Sequence, residues 1–325
     1  MGRILLVCSG GGHLKQLFTL AGRMGIAPED QLWVTFDTGL SRSLLEGRDV
    51  QFARYAAPRD IPGTIRNAAL ARRMLRSERF DLAVSTGSSL AVSFLPLAAR
   101  KGVPSHFIET AARADGPSMS GKILQRVRSV QTYTQYPAWS GPRWQYRGST
   151  FDQYDVGPAV PSTDFDRVRK VVVTVGTTES YGFERLLTAL VPLLGDREVL
   201  WQTGRSDVSA LGIEGRESVP HHELNMAIAE ADLVISHSGT GAALSAMEHG
   251  KTPVLVPRLA RHDEHIDDHQ LQIASELQRR GLAVMAHVEE LDEQLLARAA
   301  GMSTVRLDVP PPFELIGSPG PSARL

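Results

Sequence analysis

The chain has 325 residues, of which 42% are hydrophobic and 22% charged, and its net charge is −1. These values are typical of an ordinary globular protein with room for two domains, and they exclude a disordered chain. One cysteine, Cys8 within an apolar run, excludes a disulfide framework and agrees with a reducing cytoplasm.

The charges are unevenly distributed along the chain. Residues 1–160 carry 20 Lys and Arg against 12 Asp and Glu, whereas residues 161–325 carry 15 against 24. A basic first half and an acidic second half predict two domains with different partners, and an anionic lipid or acceptor would suit the first. The alternative is that these charges only solvate helix faces.

Short apolar runs alternate with helical patterns. The predicted strands cover residues 4–7, 32–36, 50–55, 82–84, 106–108, 130–133, 171–175, 199–201, 218–219, 233–235, 254–256 and 283–285. The predicted helices cover residues 14–24, 65–77, 90–100, 183–194, 224–230, 242–249 and 264–280. This alternation predicts the α/β class, with parallel sheets that helices cover on both faces.

The alternation restarts near Lys170, after a stretch rich in Gly, Pro, Ser and Asp at residues 148–166, which we interpret as a linker. The predicted domains are therefore Rossmann-like units at residues 1–160 and 161–312, followed by a flexible Pro- and Ser-rich tail at 313–325. No signal peptide or membrane span is predicted, because even the least charged stretch, 82–99, is interrupted by Ser, Thr and Gly.

A glycine turn follows the first predicted strand and leads to His13 at the start of a helix. The positive end of the helix dipole disfavours an imidazolium, so His13 is expected to be neutral and able to accept a proton. The alternative role for His13 is a capping or turn residue.

Two glycine turns follow strands in the second half. They are Gly176-Thr177-Thr178 and Ser238-Gly239-Thr240-Gly241, and the latter leads directly into a helix. A helix that begins at a glycine turn presents free backbone N–H groups, which predicts a phosphate or diphosphate site. The alternative is a tight turn with no ligand.

A polar loop at residues 258–270 contains His262, His265 and His269 at spacings that a helix could align. Asp and Glu are interleaved and no cysteine is nearby, so a structural zinc site is not predicted. Asp164 and Asp166 have the spacing of a metal-holding Asp-x-Asp pair but lie in the linker. We therefore expect no essential metal.

Several motifs resemble the GT-B glycosyltransferases that extend lipid-linked sugars. Residues 9–13, 81–87, 107–113 and 118–124 are similar to the membrane-associated subunit of the eukaryotic dolichol-pathway N-acetylglucosaminyltransferase. Residues 175–178 and 235–241 are similar to its soluble catalytic subunit. Bacterial exopolysaccharide glycosyltransferases carry both halves, and the peptidoglycan N-acetylglucosaminyltransferase is a more distant relative.

The resemblance implies a GT-B fold, with two Rossmann-like domains facing across a cleft and a UDP-sugar bound mainly by the second. The implied donor-binding residues are Gly176, Thr177, Thr178, His221, Ser238, Gly239, Thr240, Gly241, His269 and Gln270. Relatives often carry a ribose-binding Glu where this chain has Ser245. Glu248, one helical turn further on, either replaces that residue or is a surface residue.

In the first domain the resemblance implies that His13 deprotonates the acceptor hydroxyl and that Glu109 is also catalytic. Gly11, Gly12 and Arg113 would bind the sugar or phosphate of the acceptor. A buried Glu–Arg pair is the alternative interpretation of Glu109 and Arg113.

The function that follows is an inverting, metal-independent transfer of a hexose-type sugar in cell-envelope or exopolysaccharide synthesis. UDP-sugar would be a co-substrate, with no separate cofactor, and the acceptor would be a polyprenyl-diphosphate-linked sugar or a glycan. We expect a cytoplasmic protein that binds no nucleic acid. Basic residues at 64–79 suggest peripheral docking at the inner face of the membrane, or only an ordinary amphipathic helix.

Three rival functions remain at this point. A nucleotide-sugar epimerase or hydrolase would use the same donor site without an acceptor, and a non-catalytic subunit would bind UDP without turnover. A nucleotide-dependent oxidoreductase is the weakest of the three.

Overall fold

The computed structural model describes residues 2–57, 60–159, 164–176 and 181–317. The chain forms two compact units. Domain one comprises the residues up to Asp152 and the segment that starts at Pro310, and domain two comprises Gln153–Val309.

Among the described residues, the sheet of domain one has seven parallel strands in the order β3-β2-β1-β4-β5-β6-β7. The strands are β1 (Ile4–Cys8), β2 (Gln31–Phe36), β3 (Asp49–Ala53), β4 (Leu82–Gly87), β5 (Ser105–Ile108), β6 (Val130–Thr134) and β7 (Trp144–Tyr146). The helices are α1 (Gly12–Arg23), α2 (Gly39–Leu44), α3 (Ile61–Ser77), α4 (Ser89–Arg100) and α5 (Met119–Leu124).

Burial on both faces of this sheet explains why its strands read as continuous apolar runs. Strands β1 and β4 are buried along their whole length. Helix α1 covers one face because Leu14, Leu17, Leu20 and Ala21 recur at helical spacing and are all buried.

The described part of domain two has six parallel strands in the order β11-β10-β9-β12-β13-β14. These are β9 (Lys170–Thr174), β10 (Glu198–Gln202), β11 (Gly215–Arg216), β12 (Leu233–His237), β13 (Val254–Val256) and β14 (Val284–Met285). The helices are α6 (Glu184–Leu194), α7 (His221–Glu230), α8 (Thr240–Glu248), α9 (His269–Arg279) and α10 (Glu293–Ala300). The prediction of an α/β class with two parallel sheets is confirmed.

The division between the domains differs from the prediction by eight residues. Strand β8 (Tyr154–Val156) pairs antiparallel with β15 (Thr304–Arg306), and this pair ties residues 153–159 to domain two. The sequence analysis placed both segments outside any strand, because three residues are too few to show an alternating pattern. A strand was predicted at residues 218–219, but the edge strand β11 lies at Gly215–Arg216.

The prediction of a flexible tail from residue 313 is wrong for residues 313–317, and residues 318–325 lie outside the described part of the chain. The Phe313 side chain is 1% exposed and its ring centroid lies 6.1 Å from that of Tyr133. The Phe313 N–H donates to the carbonyl of Arg23 at 3.1 Å, and Arg23 Nε donates to the carbonyl of Pro311 at 2.8 Å. The segment is therefore part of the core of domain one.

We expect Phe313→Ala to lower the free energy of unfolding by about 3–5 kcal/mol, because it removes a buried aromatic ring. Val309→Ala is the matched control, since Val309 is 88% exposed and its truncation should change stability by less than about 0.5 kcal/mol. Urea-induced unfolding of both variants measures the difference. Equal stabilities would contradict the packing of this segment.

Candidate functional site

In domain two the direction of strand progression reverses between β9 and β12. Strands β10 and β11 lie on one side of β9, whereas β12, β13 and β14 lie on its other side. Thr174 pairs with Ser236, so the chain leaves the sheet at neighbouring positions after these residues. Ligands of open α/β sheets bind at such a point, beyond the carboxyl ends of the strands.

The imidazole of His237 lies against two glycines at this point. A Cβ atom on Gly239 would lie 2.3 Å from His237 Nε2, and one on Gly176 would lie 2.8 Å from His237 Cε1. A side chain at either position would therefore displace the ring. Gly176 also has a φ of 77°, a conformation that favours glycine.

The His237 ring is neutral at physiological pH. Its pKa is lowered to about 3, mainly by burial and then by the nearby charge of Arg258. His237 Nδ1 lies 3.4 Å from the carbonyl oxygen of Thr174, an acceptor that favours the tautomer with its proton on Nδ1.

The predicted phosphate turn does stand at a helix N-terminus. Helix α8 begins at Thr240 with Gly239 as N-cap and has no side-chain cap. The amide groups of its first turn have no intrahelical acceptor. Ser238 is 1% exposed, and its Oγ has no hydrogen-bond partner in the described part of the chain. The Ser238 hydroxyl and the N–H groups of Thr240 and Gly241 thus offer donors to an anion, whereas the Gly239 N–H already donates to the carbonyl of His237 at 2.7 Å.

The polar loop after β13 is fixed by the buried carboxylate of Glu264. This carboxylate accepts hydrogen bonds from Arg185 Nε and Nη2 at 2.9 and 3.0 Å and from the N–H of Leu259 at 3.0 Å. A bidentate pair of this kind attaches the loop to α6. The sequence analysis missed Arg185. Arg185 lies in the first turn of α6, where the helix dipole makes a cation unfavourable. That position could have indicated that Arg185 pairs with an acidic residue.

The two residues predicted to bind the sugar begin helix α9. Gln270 is 3% exposed, and its Oε1 accepts a hydrogen bond from the N–H of Arg258 at 3.0 Å. His269 is half-buried, and its Nδ1 is hydrogen-bonded to the carboxylate of Asp267, so Nδ1 carries a proton. Both side chains therefore have defined orientations.

His265, Asp267 and His269 form a compact cluster. One potential ligand atom of each lies within 4.8 Å of the others. The ring of His265 also stacks on Tyr181 with a centroid separation of 5.8 Å. Two imidazoles and a carboxylate are ligand types that Zn²⁺ accepts. His262 belongs to a separate short turn, because α9 begins only at His269. The absence of an essential metal stays a prediction.

The structure does not bring Glu248 to the phosphate turn. Glu248 is exposed and ends α8, so it lies about 12 Å along the helix from Thr240 at a rise of 1.5 Å per residue. It lies near β8, where burial and the Glu248 carboxylate raise the pKa of Tyr154. Ser245 is buried within the helix. This placement gives no support to a ribose-binding role for Glu248.

His221 begins helix α7, where its Nε2 lies 3.5 Å from Asn225 Nδ2. The resemblance also implies that the base lies against residues 219–222, and His221 lies within that range. Thr177 and Thr178, the other predicted donor-binding residues, lie outside the described residues.

Domain one has a similar arrangement where its strand order reverses, between β1 and β4. A Cβ atom on Gly87, which has a φ of 115°, would lie 2.8 Å from His13 Cε1. His13 Nδ1 lies 2.7 Å from the carbonyl oxygen of Thr86, and Thr86 Oγ1 donates to the carbonyl of His13 at 2.8 Å. A carbonyl only accepts, so Nδ1 carries a proton and Nε2 is the proton-accepting nitrogen of the neutral ring.

The glycines before His13 leave backbone open at the start of α1. Gly11, with a φ of 64°, is the N-cap and provides no side-chain cap. No described atom lies within 4 Å of the position a Cβ on Gly11 would take. Gly12 is the first helical residue, and its carbonyl accepts a hydrogen bond from Gln16 Nε2 at 3.1 Å. A ligand can therefore approach the N-terminus of α1 closely.

Glu109 lies beyond β5 and is 1% exposed. Its Oε1 accepts a hydrogen bond from the N–H of Thr110, and its Oε2 accepts from the N–H and the hydroxyl of Ser118, all at 2.9–3.0 Å. Burial raises its pKa, and these hydrogen bonds and then the charge of half-buried Arg113 oppose that rise. Glu109 thus anchors the loop before α5. Its catalytic role and an acceptor role for Arg113 stay predictions.

A buried amide network connects α1 to this loop and was missed by the sequence analysis. Gln16 Oε1 accepts hydrogen bonds from the N–H of Ala111 at 2.8 Å and from Gln135 Nε2 at 3.0 Å. Gln135 Nε2 also donates to the carbonyl of Glu109 at 2.9 Å. The network fixes the helix that carries His13 relative to the loop that Glu109 anchors.

Comparison with known proteins agrees with this fold. The chain has the GT-B fold of the crystal structure of MurG from Acinetobacter baumannii, with a TM-score of 0.56 and 20% identity over 92% of this chain and 89% of that one. UDP-N-acetylglucosamine 2-epimerase from Rickettsia bellii shares the fold, with a TM-score of 0.57 and 12% identity over 92% and 87% of the two chains.

Residues 170–303 match the glycosyltransferase family 28 C-terminal domain. The chain is 25% identical, over 91% of its length and 86% of the relative, to a UDP-N-acetylglucosamine–N-acetylmuramyl-(pentapeptide) pyrophosphoryl-undecaprenol N-acetylglucosamine transferase of Parasynechococcus marenigrum. A shorter match, 45% identical over 53 residues, covers 16% of this chain and 25% of the UDP-N-acetylglucosamine transferase subunit ALG13 of Yarrowia lipolytica. The predicted resemblance to GT-B glycosyltransferases is confirmed.

The low pKa of His237 makes the stability of domain two depend on pH. Between pH 6.5 and about 3 the unfolded chain binds a proton that the folded chain does not, so the free energy of unfolding falls as the pH falls through this range. The loss is at most about 1.4 kcal/mol per pH unit. His237→Gln should lack this part of the pH dependence.

Urea-induced unfolding of the wild-type protein and H237Q at pH 7.5 and pH 5 tests this prediction. Between pH 7.5 and pH 5 the wild-type protein should lose more free energy of unfolding than H237Q does. Parallel losses of stability in both proteins would show that His237 is not held neutral by burial.

Proposed function

We propose that this chain is a glycosyltransferase that moves a hexose-type sugar from a UDP-sugar to a lipid-linked or polysaccharide-precursor acceptor. One observation carries the proposal: the N-terminus of α8, which has no side-chain cap, stands at the strand-order reversal of domain two beside the Ser238 hydroxyl, which has no hydrogen-bond partner among the described residues. That region lies inside the match to the glycosyltransferase family 28 C-terminal domain. The names of the relatives support UDP as the nucleotide and a lipid pyrophosphate as the acceptor carrier.

In the proposed donor site, Ser238 and the first amides of α8 bind the diphosphate. Gln270 and His269 begin α9, after the loop that Glu264 fixes, and they bind hydroxyls of the sugar. Gly176 and His221 lie beyond β9 and β11 and would contact the nucleoside part. The helix dipole and the amide donors favour the charge that develops on the leaving UDP.

The proposed reaction is a single in-line displacement with inversion at the anomeric carbon. The acceptor oxygen forms a bond to that carbon while the bond from carbon to the diphosphate oxygen breaks, and UDP leaves with the electron pair. His13 Nε2 takes the proton of the acceptor hydroxyl, because Nδ1 is committed to the carbonyl of Thr86. The proposal includes no essential metal, so EDTA should not reduce the rate.

A transfer assay with a UDP-sugar panel and a polyprenyl-diphosphate-linked sugar tests this function. We expect His13→Asn to lower kcat by about 10²- to 10⁴-fold, as loss of a general base does. Thermal stabilisation by UDP should be unchanged, because domain two binds the donor. At a hundredfold excess over Kd, UDP should raise the free energy of unfolding by about 2.7 kcal/mol.

The control variant is His262→Asn, which removes an exposed histidine of domain two and should keep wild-type kcat. Wild-type protein that binds UDP but releases or isomerises the sugar without transfer would instead support a hydrolase or an epimerase. Absence of UDP binding in the wild-type protein would overturn the donor site.

We also propose that the protein is cytoplasmic and docks at the inner face of the membrane through α3, as part of cell-envelope or exopolysaccharide synthesis. Helix α3 buries Ala71, Met74 and Leu75 against the core of domain one. Its exposed residues include Ile61 and Ile65 in the first two turns and, further along, Arg66, Arg72, Arg73 and Arg76. None of the described helices has the length and apolar character needed to cross a bilayer.

Sedimentation with vesicles tests this docking. Wild-type protein should bind vesicles that contain phosphatidylglycerol, and replacing Arg72, Arg73 and Arg76 together by Glu should abolish most of that binding, since each basic residue contributes about 1 kcal/mol. Neutral phosphatidylcholine vesicles are the control and should bind neither protein strongly. Equal binding of both proteins to anionic vesicles would contradict the proposed surface.

A further inference from the structure

Arg258 is a fully buried cation beside the proposed diphosphate turn. It lies two residues beyond the end of β13, and its side chain is 1% exposed. Its Nη2 donates to the carbonyl of Val175 at 2.6 Å, and its backbone N–H is held by Gln270. Its Nε has no hydrogen-bond partner in the part of the chain that the structure describes.

Among the residues that the structure describes, no carboxylate contacts Arg258 to balance its charge. No described Asp or Glu forms an ion pair with Arg258, and the two acidic residues that act on it from a distance are Glu264 and Glu184. Glu264 is paired with Arg185, and Glu184 accepts a hydrogen bond from the N–H of Asp207. Burial lowers the pKa of the guanidinium to about 10, so it stays charged at neutral pH. A buried charge without a counter-ion is unfavourable unless function supplies one.

The position of this charge indicates which group of a ligand would lie near it. Strand β12 lies between β13, which Arg258 follows, and β9, beyond which Val175 accepts its hydrogen bond. The side chain therefore crosses the carboxyl end of β12, where His237 and Ser238 leave the sheet. Burial is the main cause of the low pKa of His237, and the charge of Arg258 is the second largest. An anion bound at the N-terminus of α8 would likewise be close enough to interact with the positive charge of Arg258.

We propose that Arg258 is the residue whose buried charge makes this site select a nucleoside diphosphate. The inference deepens the proposed function and rests on it. Arg258 is a positioning residue: its guanidinium holds the carbonyl of Val175 and acts through the His237–Ser238 turn, which contacts the diphosphate. The unpaired Ser238 hydroxyl beside it is a second group that an anion would satisfy. The charge of Arg258 should therefore strengthen the binding of UDP, which carries the diphosphate, but not the binding of uridine, which lacks it.

Binding of UDP by calorimetry and of uridine by ligand-observed NMR separates the two contributions. Arg258→Met keeps an unbranched apolar stem but removes the charge, and should weaken UDP binding about 10- to 100-fold while leaving uridine binding unchanged. Arg258→Lys keeps the charge and should restore UDP affinity to within about fivefold of wild type.

Arg197→Met is the matched control. The guanidinium carbon of Arg258 lies 5.6 Å from the centroid of the Phe183 ring. Arg197 likewise lies over a phenyl ring, 3.8 Å from the centroid of Phe165, and it donates to backbone carbonyls, including those of Val168 and Leu194. It precedes β10 and so lies at the amino end of the sheet, away from the turn. R197M should keep wild-type affinity for UDP.

The binding measurements on R258M, R258K and the wild-type protein separate the role of Arg258 from the proposed function. Wild-type UDP affinity in R258M, or equal losses for UDP and uridine, would overturn it and leave the proposed function intact. If R258M does not fold, R258K decides: near-wild-type UDP binding supports the charge, and loss in R258K of a hundredfold or more contradicts it. Wild-type protein that binds no UDP would refute the proposed function itself.

Discussion

Both domains depend on one kind of contact, an imidazole ring seated against a glycine at a neighbouring strand end. In domain one the ring is His13, which follows the first strand, and the glycine is Gly87, which ends the fourth. In domain two the order is reversed, with Gly176 after β9 and the ring of His237 at the end of β12. The contact connects β1 to β4 in domain one and β9 to β12 in domain two, the strands between which the strand order reverses. It therefore holds together the carboxyl ends of the strands, where the helix N-termini lie.

The same contact also fixes proton positions. In each domain the ring places Nδ1 toward the carbonyl of a threonine, Thr86 or Thr174, at the adjacent strand end. The two rings nevertheless have different surroundings, because His237 is held neutral by burial beside a cation, whereas His13 stands at an open helix start. This difference explains why a proton acceptor is assigned to the first ring and a purely supporting role to the second.

The sequence predicted most of the parallel strands because burial on both faces leaves continuous apolar runs, as at β1 and β9. It also located the glycine turns that precede His13 and Thr240, since a glycine pattern after an apolar run is a local signal. The very short strands β7, β8, β11 and β15 were missed or misplaced because, unlike β13, they contain no continuous apolar run. Their positions are decided by pairing with other strands.

Side-chain roles were harder to predict than elements. Glu109 and Glu248 were selected by their position in motifs, which does not show the contacts of a side chain. The Glu109 carboxylate accepts hydrogen bonds from Thr110 and Ser118, and Glu248 lies at the far end of its helix from the phosphate turn. The catalytic role of Glu109 stays a prediction. Arg258 was passed over because a single arginine after a strand looks like a surface charge, and its burial arises from contacts with β9, about 80 residues earlier.

Domain two is acidic overall yet is proposed to bind an anion. Residues 161–325 contain nine more acidic than basic side chains, but those charges are largely solvated. In the proposed site, a desolvated guanidinium and a helix terminus would act on the ligand at short range and with little screening. Net charge is therefore a poor guide to the ligand of this domain.

The return of the chain to domain one at Pro310 gives the molecule an inserted topology. Two connections join the domains, one after Asp152 and one before Pro310. A single proteolytic cut in either connection would leave the fragments tethered by the other, so limited proteolysis releases a free domain only after two cleavages. Domain two is continuous in sequence and can be expressed as a single segment, whereas domain one alone requires its last segment to be grafted onto residue 152.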